Sequence, residues 1–121
     1  MPHRRVVRTS LRATELRCLK AVVSSAFSVR EVELCAASRS RARAAFARQV
    51  AMYLAHITFG MSLVDVGSSF GRDRSTARHA CRLVEDRRED WALDYALDHL
   101  ERAARLWAFS VAAGEEGIRH G

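Results

Sequence analysis

Apolar residues recur at helical spacing along most of this chain, in segments that contain few helix breakers. The spacing predicts helices over residues 11–28, 29–36, 47–60, 62–70 and 74–88, of which 47–60 is apolar on nearly every side and should form the buried centre. One Pro and six Gly in 121 residues, with Ala and Arg as the dominant residue types, also favour helix. We therefore expect an all-α fold, a small helical bundle of one domain.

Capping residues mark where these helices should begin. The predicted caps are Ser10, Ser28, Ser62 and Asp73. Ser28 and Ser62 are each followed three residues later by an acidic residue, which is the form of a capping box. Four of the five predicted helices therefore begin at a side chain that can accept an otherwise unpaired backbone N–H.

Residues 62–88 have the outline of a helix-turn-helix, in which a short helix and a longer one are joined by a tight turn at Gly71-Arg72. On the second helix the predicted core positions are Ala77, Cys81 and Val84, and the predicted outward positions are Ser75, Arg78, His79 and Arg82. This outline indicates DNA binding, although many small helical bundles contain a similar turn.

Positive charge is concentrated in the first part of the chain. Residues 1–50 contain 11 basic and 3 acidic residues, residues 51–88 contain 6 and 4, and residues 89–121 contain 3 and 7. Nineteen of the 20 basic residues are Arg, which a preference for Arg codons would also explain, but such a preference does not explain their position. The distribution indicates one part that faces nucleic acid and another that faces away from it.

Enzymatic and metal chemistry find no support in the sequence. The cysteines, Cys18, Cys35 and Cys81, form no C-x-x-C motif, and we interpret them as reduced core residues. His79 and Cys81 lie two residues apart on a helix and face different ways, so they do not form a nucleophile pair. No apolar run approaches the ~20 residues of a membrane span. We expect a cytoplasmic, nucleoid-associated protein that is not an enzyme and has no cofactor or metal.

Residues 47–86 resemble the C-terminal double-stranded-DNA-binding domain of the bacterial replication initiator DnaA. The matching positions are Arg48-Gln49, Ala51-Met52, Leu54-Ala55, Ser62-Leu63, Gly67, Phe70-Gly71, Arg72-Asp73, Thr76 and His79-Ala80. Upstream, residues 27–43 look like the family's short helix and basic loop, and the resemblance extends over about residues 11–88. The sequence has no G-x-x-x-x-G-K-[ST] phosphate loop, so we expect the DNA-reading module without its ATP-driven motor.

The resemblance implies which side chains meet DNA. The implied base contacts are Asp73, Arg74, Ser75, Thr76 and Arg78; the implied backbone contacts are Arg43, Arg48, Gln49 and Arg72; Arg39 or Arg41 would enter the minor groove. The positive end of a helix dipole suits a phosphate-lined groove, and Arg loops favour narrow minor grooves.

Two positions depart from the family pattern in the reading segment. Arg74 replaces a His and Ser75 replaces a Thr. An Arg can bond bidentately to guanine O6 and N7, and a Ser lacks the methyl group that packs on thymine. We therefore expect a DNA site that differs from the usual DnaA box and is richer in G at that step.

The end of the chain predicts a further amphipathic helix. Its apolar stripe consists of Leu93, Leu97, Leu100, Ala104 and Trp107. This helix either folds back on the small domain or offers a surface to a second copy, RNA polymerase or another regulator, with Trp91 and Trp107 as anchors. The predicted organisation is a basic arm (1–9), a DnaA-like domain (10–88), an acidic helix (89–112) and a tail (113–121).

These expectations converge on a sequence-specific double-stranded-DNA-binding protein that regulates transcription. Stand-alone domains resembling this one include alphaproteobacterial regulators of phage-like gene transfer clusters, so activation of such a cluster is one implied role. Two alternatives are a replication accessory that competes with DnaA for origin sites, and an interaction module that acts through its C-terminal helix.

Overall fold

The computed structural model describes residues 2–35 and 42–120, with side chains described over residues 11–35 and 42–115. These residues form helices only, which confirms the all-α prediction. The elements are α1 (Pro2–Phe27), α2 (Glu31–Leu34), α3 (Ala42–Ile57), α4 (Leu63–Ser69), α5 (Arg74–Arg87) and α6 (Trp91–His120). No described helix is both long enough and apolar enough to cross a membrane.

Helix α3 is the buried centre of the bundle, as the sequence predicted. It packs against α1, α2, α4 and α5, and nine of its residues are buried. It begins at Ala42, five residues before the predicted start, because 42–46 are Ala, Arg and Phe residues that suit a helix. The last two residues of the predicted basic loop, 42 and 43, therefore belong to α3.

Helix α1 begins earlier than predicted. Residues 2–9, which we expected to form a separate basic arm, are helical, and Ser10 lies inside the helix rather than at its cap. The reason is that Pro2 fits the first turn of a helix, where its missing N–H costs nothing, and no helix breaker follows it. The helix ends at Phe27; the next residue, Ser28, has a φ of 55°, and the N–H of Val29 donates to the carbonyl oxygen of Ser24 at 3.0 Å.

The cap of α2 also differs from the prediction. Arg30, not Ser28, occupies the N-cap position, and the carboxylate of Glu33 accepts from the backbone N–H of Arg30 at 3.4 Å. An N-cap residue needs an extended backbone, whereas Ser28 takes the left-handed conformation that ends α1. As a result α2 spans four residues rather than the predicted 29–36.

Helix α6 packs along α1, so the terminal helix does fold back on the domain. Its inward positions are Leu97, Ala104 and Ala108, all buried, whereas Trp107 is 47% exposed. The residue that follows Ala104 in the inward-facing stripe is therefore Ala108, not the predicted Trp107. The helix continues to His120, so most of the predicted 113–121 tail is helical as well.

Candidate nucleic-acid interface

Helices α4 and α5 form the predicted helix-turn-helix, and its first helix begins as expected. The Ser62 hydroxyl accepts the backbone N–H of Asp65 at 3.1 Å and caps α4. Val66 and Phe70 are fully buried against the core and hold α4 in place. The short helix is thus fixed at its start by a cap and at its end by a buried aromatic ring.

The turn between the two helices has little space. An added Cβ on Gly67 would lie 2.6 Å from the carbonyl oxygen of Arg72, and Gly71 has a φ of +65°. The N–H of Arg72 donates to the carbonyl oxygen of Gly67 at 2.8 Å. A residue without a side chain is therefore required at position 67 by the close approach and favoured at 71 by the backbone conformation.

Asp73 caps α5 as predicted. Its carboxylate accepts the Ser75 hydroxyl at 2.7 Å and the backbone N–H of Thr76 at 2.9 Å. These hydrogen bonds, that of Ser75 foremost, hold the pKa of the Asp73 carboxyl below its usual value. The first turn of α5 is thereby organised by its own side chains before any ligand is present.

The two faces of α5 separate core from solvent. Ala77, Ala80 and Val84 are buried against the bundle. The exposed side chains on this helix include Arg74, Ser75, Thr76, Arg78, His79 and Arg82. All predicted base-contact residues, Asp73 included, are thus exposed on one accessible helix end, and Arg74, Arg78 and Arg82 recur on it at intervals of four residues.

The basic loop leaves the bundle beside this turn. Arg39 and Arg41, predicted for the minor groove, lie outside the described residues. The last described residue before them, Cys35, donates from its thiol to the carbonyl oxygen of Ser69 at 3.8 Å, and Lys20 donates to the same oxygen at 3.3 Å. The loop therefore starts at the helix-turn-helix, on the end of the domain that carries the turn.

Lys20 also lies over the ring of Phe70, with 5.0 Å between its ammonium nitrogen and the ring centroid. Lys20 therefore contacts the C-terminal end of α4 and places a positive charge next to the turn. The sequence contained no signal for this role, since Lys20 and Ser69 are separated by 49 positions.

Arg48 was predicted to contact phosphate, and its position does not fit that role. Its side chain is buried, and it donates from Nε to the carbonyl oxygen of Leu34 at 2.8 Å and from Nη2 to that of Glu33 at 2.9 Å. Burial lowers the pKa of Arg48, with the nearby charge of Arg72 as a further cause. Arg48 joins the end of α2 to α3 and so fixes the chain that leads into the basic loop.

The other predicted backbone contacts are more accessible. Arg43 is exposed in the first turn of α3, Gln49 is half-buried, and Arg72 is half-buried with Nη1 3.3 Å from the carbonyl oxygen of Gly71. In the sequence Arg43 directly follows the basic loop and Arg72 directly precedes the cap of α5.

Arg88, which the sequence did not single out, fixes α6 to the rest of the bundle. Its Nε lies 2.5 Å from Oδ1 of Asp94, and its other nitrogens contact Asp98, Glu101 and the hydroxyl of Tyr53. The acidic residues in the first half of α6 are thus directed toward Arg88. Because α5 has 14 residues and is about 21 Å long, this acidic cluster lies at the opposite end of α5 from Asp73.

The predicted partner surface on α6 is divided between core and solvent. Leu97 is buried, Leu93 and Leu100 are half-buried, and Trp91 and Trp107 are 78% and 47% exposed.

Among the described residues no group of three His, Cys, Asp or Glu side chains could hold a metal ion.

Comparison with known proteins agrees with this architecture. The family model described as the bacterial dnaA protein helix-turn-helix matches residues 17–84, which include the second part of α1, all of α2 to α4 and most of α5. The chain belongs to the DnaA helix-turn-helix family. A DnaA-type helix-turn-helix is a DNA-binding unit, which supports DNA binding by these residues.

Chromosomal replication initiator proteins DnaA are among the relatives. The chain is 41% identical over 71 residues to DnaA 2 of Chlamydia trachomatis, a match that covers 59% of this chain and 15% of that protein. It is 36% identical over 106 residues to DnaA of Caulobacter vibrioides, covering 83% of this chain and 21% of that protein. The chain thus spans about a fifth or less of the length of these relatives, and the resemblance is to their DnaA helix-turn-helix part.

Proposed function

We propose that this protein binds double-stranded DNA sequence-specifically, with the first turn of α5 in the major groove. One observation carries the proposal: Arg74, Ser75, Thr76 and Arg78 are exposed at a capped helix start on a DnaA-type helix-turn-helix. Only the first turn of a recognition helix usually reaches base edges, and this turn carries an Arg that can read guanine.

The surroundings of α5 supply contacts to the DNA backbone. Arg43 and Arg72 carry positive charge near the loop and the turn, and the loop with Arg39 and Arg41 starts beside Ser69. Contacts of this kind set orientation and affinity without reading sequence. The acidic cluster around Arg88 lies at the far end of α5, where it does not repel phosphate.

The proposed biological role is regulation of transcription, which includes activation of a phage-like gene transfer cluster. Support comes from the reading turn itself, since Arg74 and Ser75 stand where the DnaA pattern has His and Thr. A different pair of side chains favours a different DNA site and therefore binding away from DnaA boxes. The exposed aromatic side chains of α6 add a surface that can recruit a protein, with RNA polymerase or another regulator as the proposed partner.

A replication accessory is the second candidate, and the identity to replication initiators favours it. Binding-site selection from random duplexes, followed by genome-wide binding, separates the two. Peaks at promoters with a motif distinct from DnaA boxes support regulation. Peaks at the origin that purified DnaA displaces support the accessory role. Absence of DNA binding below micromolar concentration at about 100 mM salt contradicts both.

A further inference from the structure

The outer face of α6 carries an unusual amount of exposed apolar surface. Trp91 is 78% exposed, Tyr95 58%, Leu106 66% and Phe109 74%. Together with Trp107 they make up five of the nine exposed large apolar side chains among the described residues. Isolated apolar residues on a surface are ordinary, but a set on one helix indicates an interface.

Four of these side chains form one stripe, which we call the outer stripe: Trp91, Tyr95, Leu106 and Phe109. At 100° per residue they fall on the part of α6 that faces away from Leu97, Ala104 and Ala108, which pack into the bundle; Phe109 lies at the edge of this part, beside a groove that Leu11 and Phe59 also line. The rings of Trp91 and Tyr95 stack with centroids 5.9 Å apart. The stripe is about 27 Å long and lies outside the core.

The outer stripe is symmetric about its own centre. Trp91 and Phe109 lie at equal distances from position 100, and Tyr95 and Leu106 lie at nearly equal distances from the same point. If a second α6 lies antiparallel across this centre, Trp91 meets Phe109 of the second copy and Tyr95 meets Leu106. A two-fold axis requires such self-complementarity, because each contact must occur twice.

Charges on one flank of the stripe are arranged in the same way. Asp98 lies before the centre and Arg105 after it on the same flank, while Arg102 lies after the centre within the stripe itself, between Tyr95 and Leu106. Asp98 remains 46% exposed although it contacts Arg88, and neither Arg102 nor Arg105 makes an ion pair with a described residue. In the antiparallel pair each Asp98 faces an Arg of the other copy, whereas a parallel pair would place like charges together.

The other flank presents small side chains and one exposed ring. Ala92, Ala103 and Ser110 lie beside the stripe on the side away from Asp98, together with His99, whose ring centroid lies 4.4 Å from that of Tyr95. Small residues allow two helices to approach closely, and the His99 ring extends the aromatic surface of Trp91 and Tyr95.

From this stripe and these charges we propose that α6 pairs with α6 of a second copy, antiparallel about residue 100, to form a homodimer. The dimer covers the outer stripe and leaves the first turn of each α5 exposed, at the far end of that helix from the acidic cluster around Arg88. The dimer therefore carries two α5 helices, one from each copy, whose exposed first turns are related by a two-fold axis.

The first experiment is sedimentation equilibrium of the full chain without DNA across the micromolar range. The wild type should dimerise, and Leu106→Glu should raise the dimer dissociation constant about tenfold or more by burying a charge at the seam. Val64→Glu, at a similarly exposed position on α4, is the matched control and should leave the constant unchanged. Far-UV circular dichroism checks that both variants are folded. A wild type that stays monomeric overturns the proposal, as does equal dimerisation by Leu106→Glu.

The second experiment tests the direction of the two helices. Tyr95→Cys and Leu106→Cys proteins, each in a Cys35→Ser background, are mixed and oxidised. The antiparallel pair predicts that mixed disulfides exceed either like pair, because position 95 faces position 106 across the seam. Predominant like pairs would mean parallel helices and would overturn the proposed arrangement.

Discussion

The carbonyl oxygen of Arg72 lies 2.6 Å from the point that a Cβ atom on Gly67 would occupy. Helix α4 and the residues before α5 therefore approach each other as backbone against backbone. The direction in which α5 leaves the turn depends on this contact, because Arg72 also donates its N–H to the carbonyl oxygen of Gly67.

Gly67→Ala should destabilise the fold by about 1–3 kcal/mol, since the new methyl group has to displace backbone atoms. Gly114→Ala is the matched control, because a Cβ there meets nothing within 4 Å. Urea denaturation followed by circular dichroism measures both. Equal midpoints for the wild type and Gly67→Ala would show that the turn has room to relax.

Arg48→Met should lower the free energy of unfolding by about 1.5–3 kcal/mol, because it removes two charged hydrogen bonds to backbone carbonyl groups, one buried and one partly buried. Arg43→Ala is the matched exposed change and should leave stability within about 0.5 kcal/mol. The Arg43→Ala variant should instead weaken binding to all DNA sequences. It should also reduce by about 1 the slope of log affinity against log salt concentration. An Arg48→Met protein of wild-type stability with a uniform loss of DNA affinity would return Arg48 to the role of phosphate contact.

Arg88→Met should cost about 2–3 kcal/mol of stability, because three carboxylates and the Tyr53 hydroxyl lose their shared donor. Arg82→Met, on the exposed face of α5, is the control for loss of a positive charge. Thermal unfolding compares the two. Similar transition temperatures would show that apolar packing alone holds α6 on α1.

The thiols should react at different rates. Burial raises the pKa of Cys81 to about 11, so its thiolate is scarce at pH 8, and burial also raises the pKa of Cys18. Cys35 is exposed. A colorimetric thiol titration of the native protein should therefore show one fast group, which Cys35→Ser removes. A fast phase that survives Cys35→Ser would contradict the described burial.

Sequence patterns predicted the elements whose signals are local. Ser62 and Asp73 lie directly before apolar-periodic segments and cap α4 and α5 as expected. Ser28 has the same local pattern, but it ends α1 in a left-handed conformation, so the cap passes to Arg30. A cap motif identifies a helix start only when the preceding helix leaves that residue free.

Contacts between distant parts of the chain were not predictable. The matched motif placed Arg48 at the surface, yet its carbonyl partners on α2 lie 14 and 15 positions away and no periodicity connects them. Arg88 looked like the last residue of an Arg-rich helix, and its role depends on where α6 folds back. The candidate reading turn could be predicted because its exposed residues and its cap are consecutive.

The central claim is that the first turn of α5 reads base sequence. Competition binding of Arg74→Ala and Arg82→Ala against a panel of single-base variants of the selected DNA site tests it most directly. Arg74→Ala should lose about 1–3 kcal/mol of binding free energy and relax preference at one base pair, while Arg82→Ala keeps the wild-type preference at every position. An Arg74→Ala protein that binds every duplex more weakly by the same factor, with its base preference intact, would contradict the claim and make Arg74 a phosphate contact.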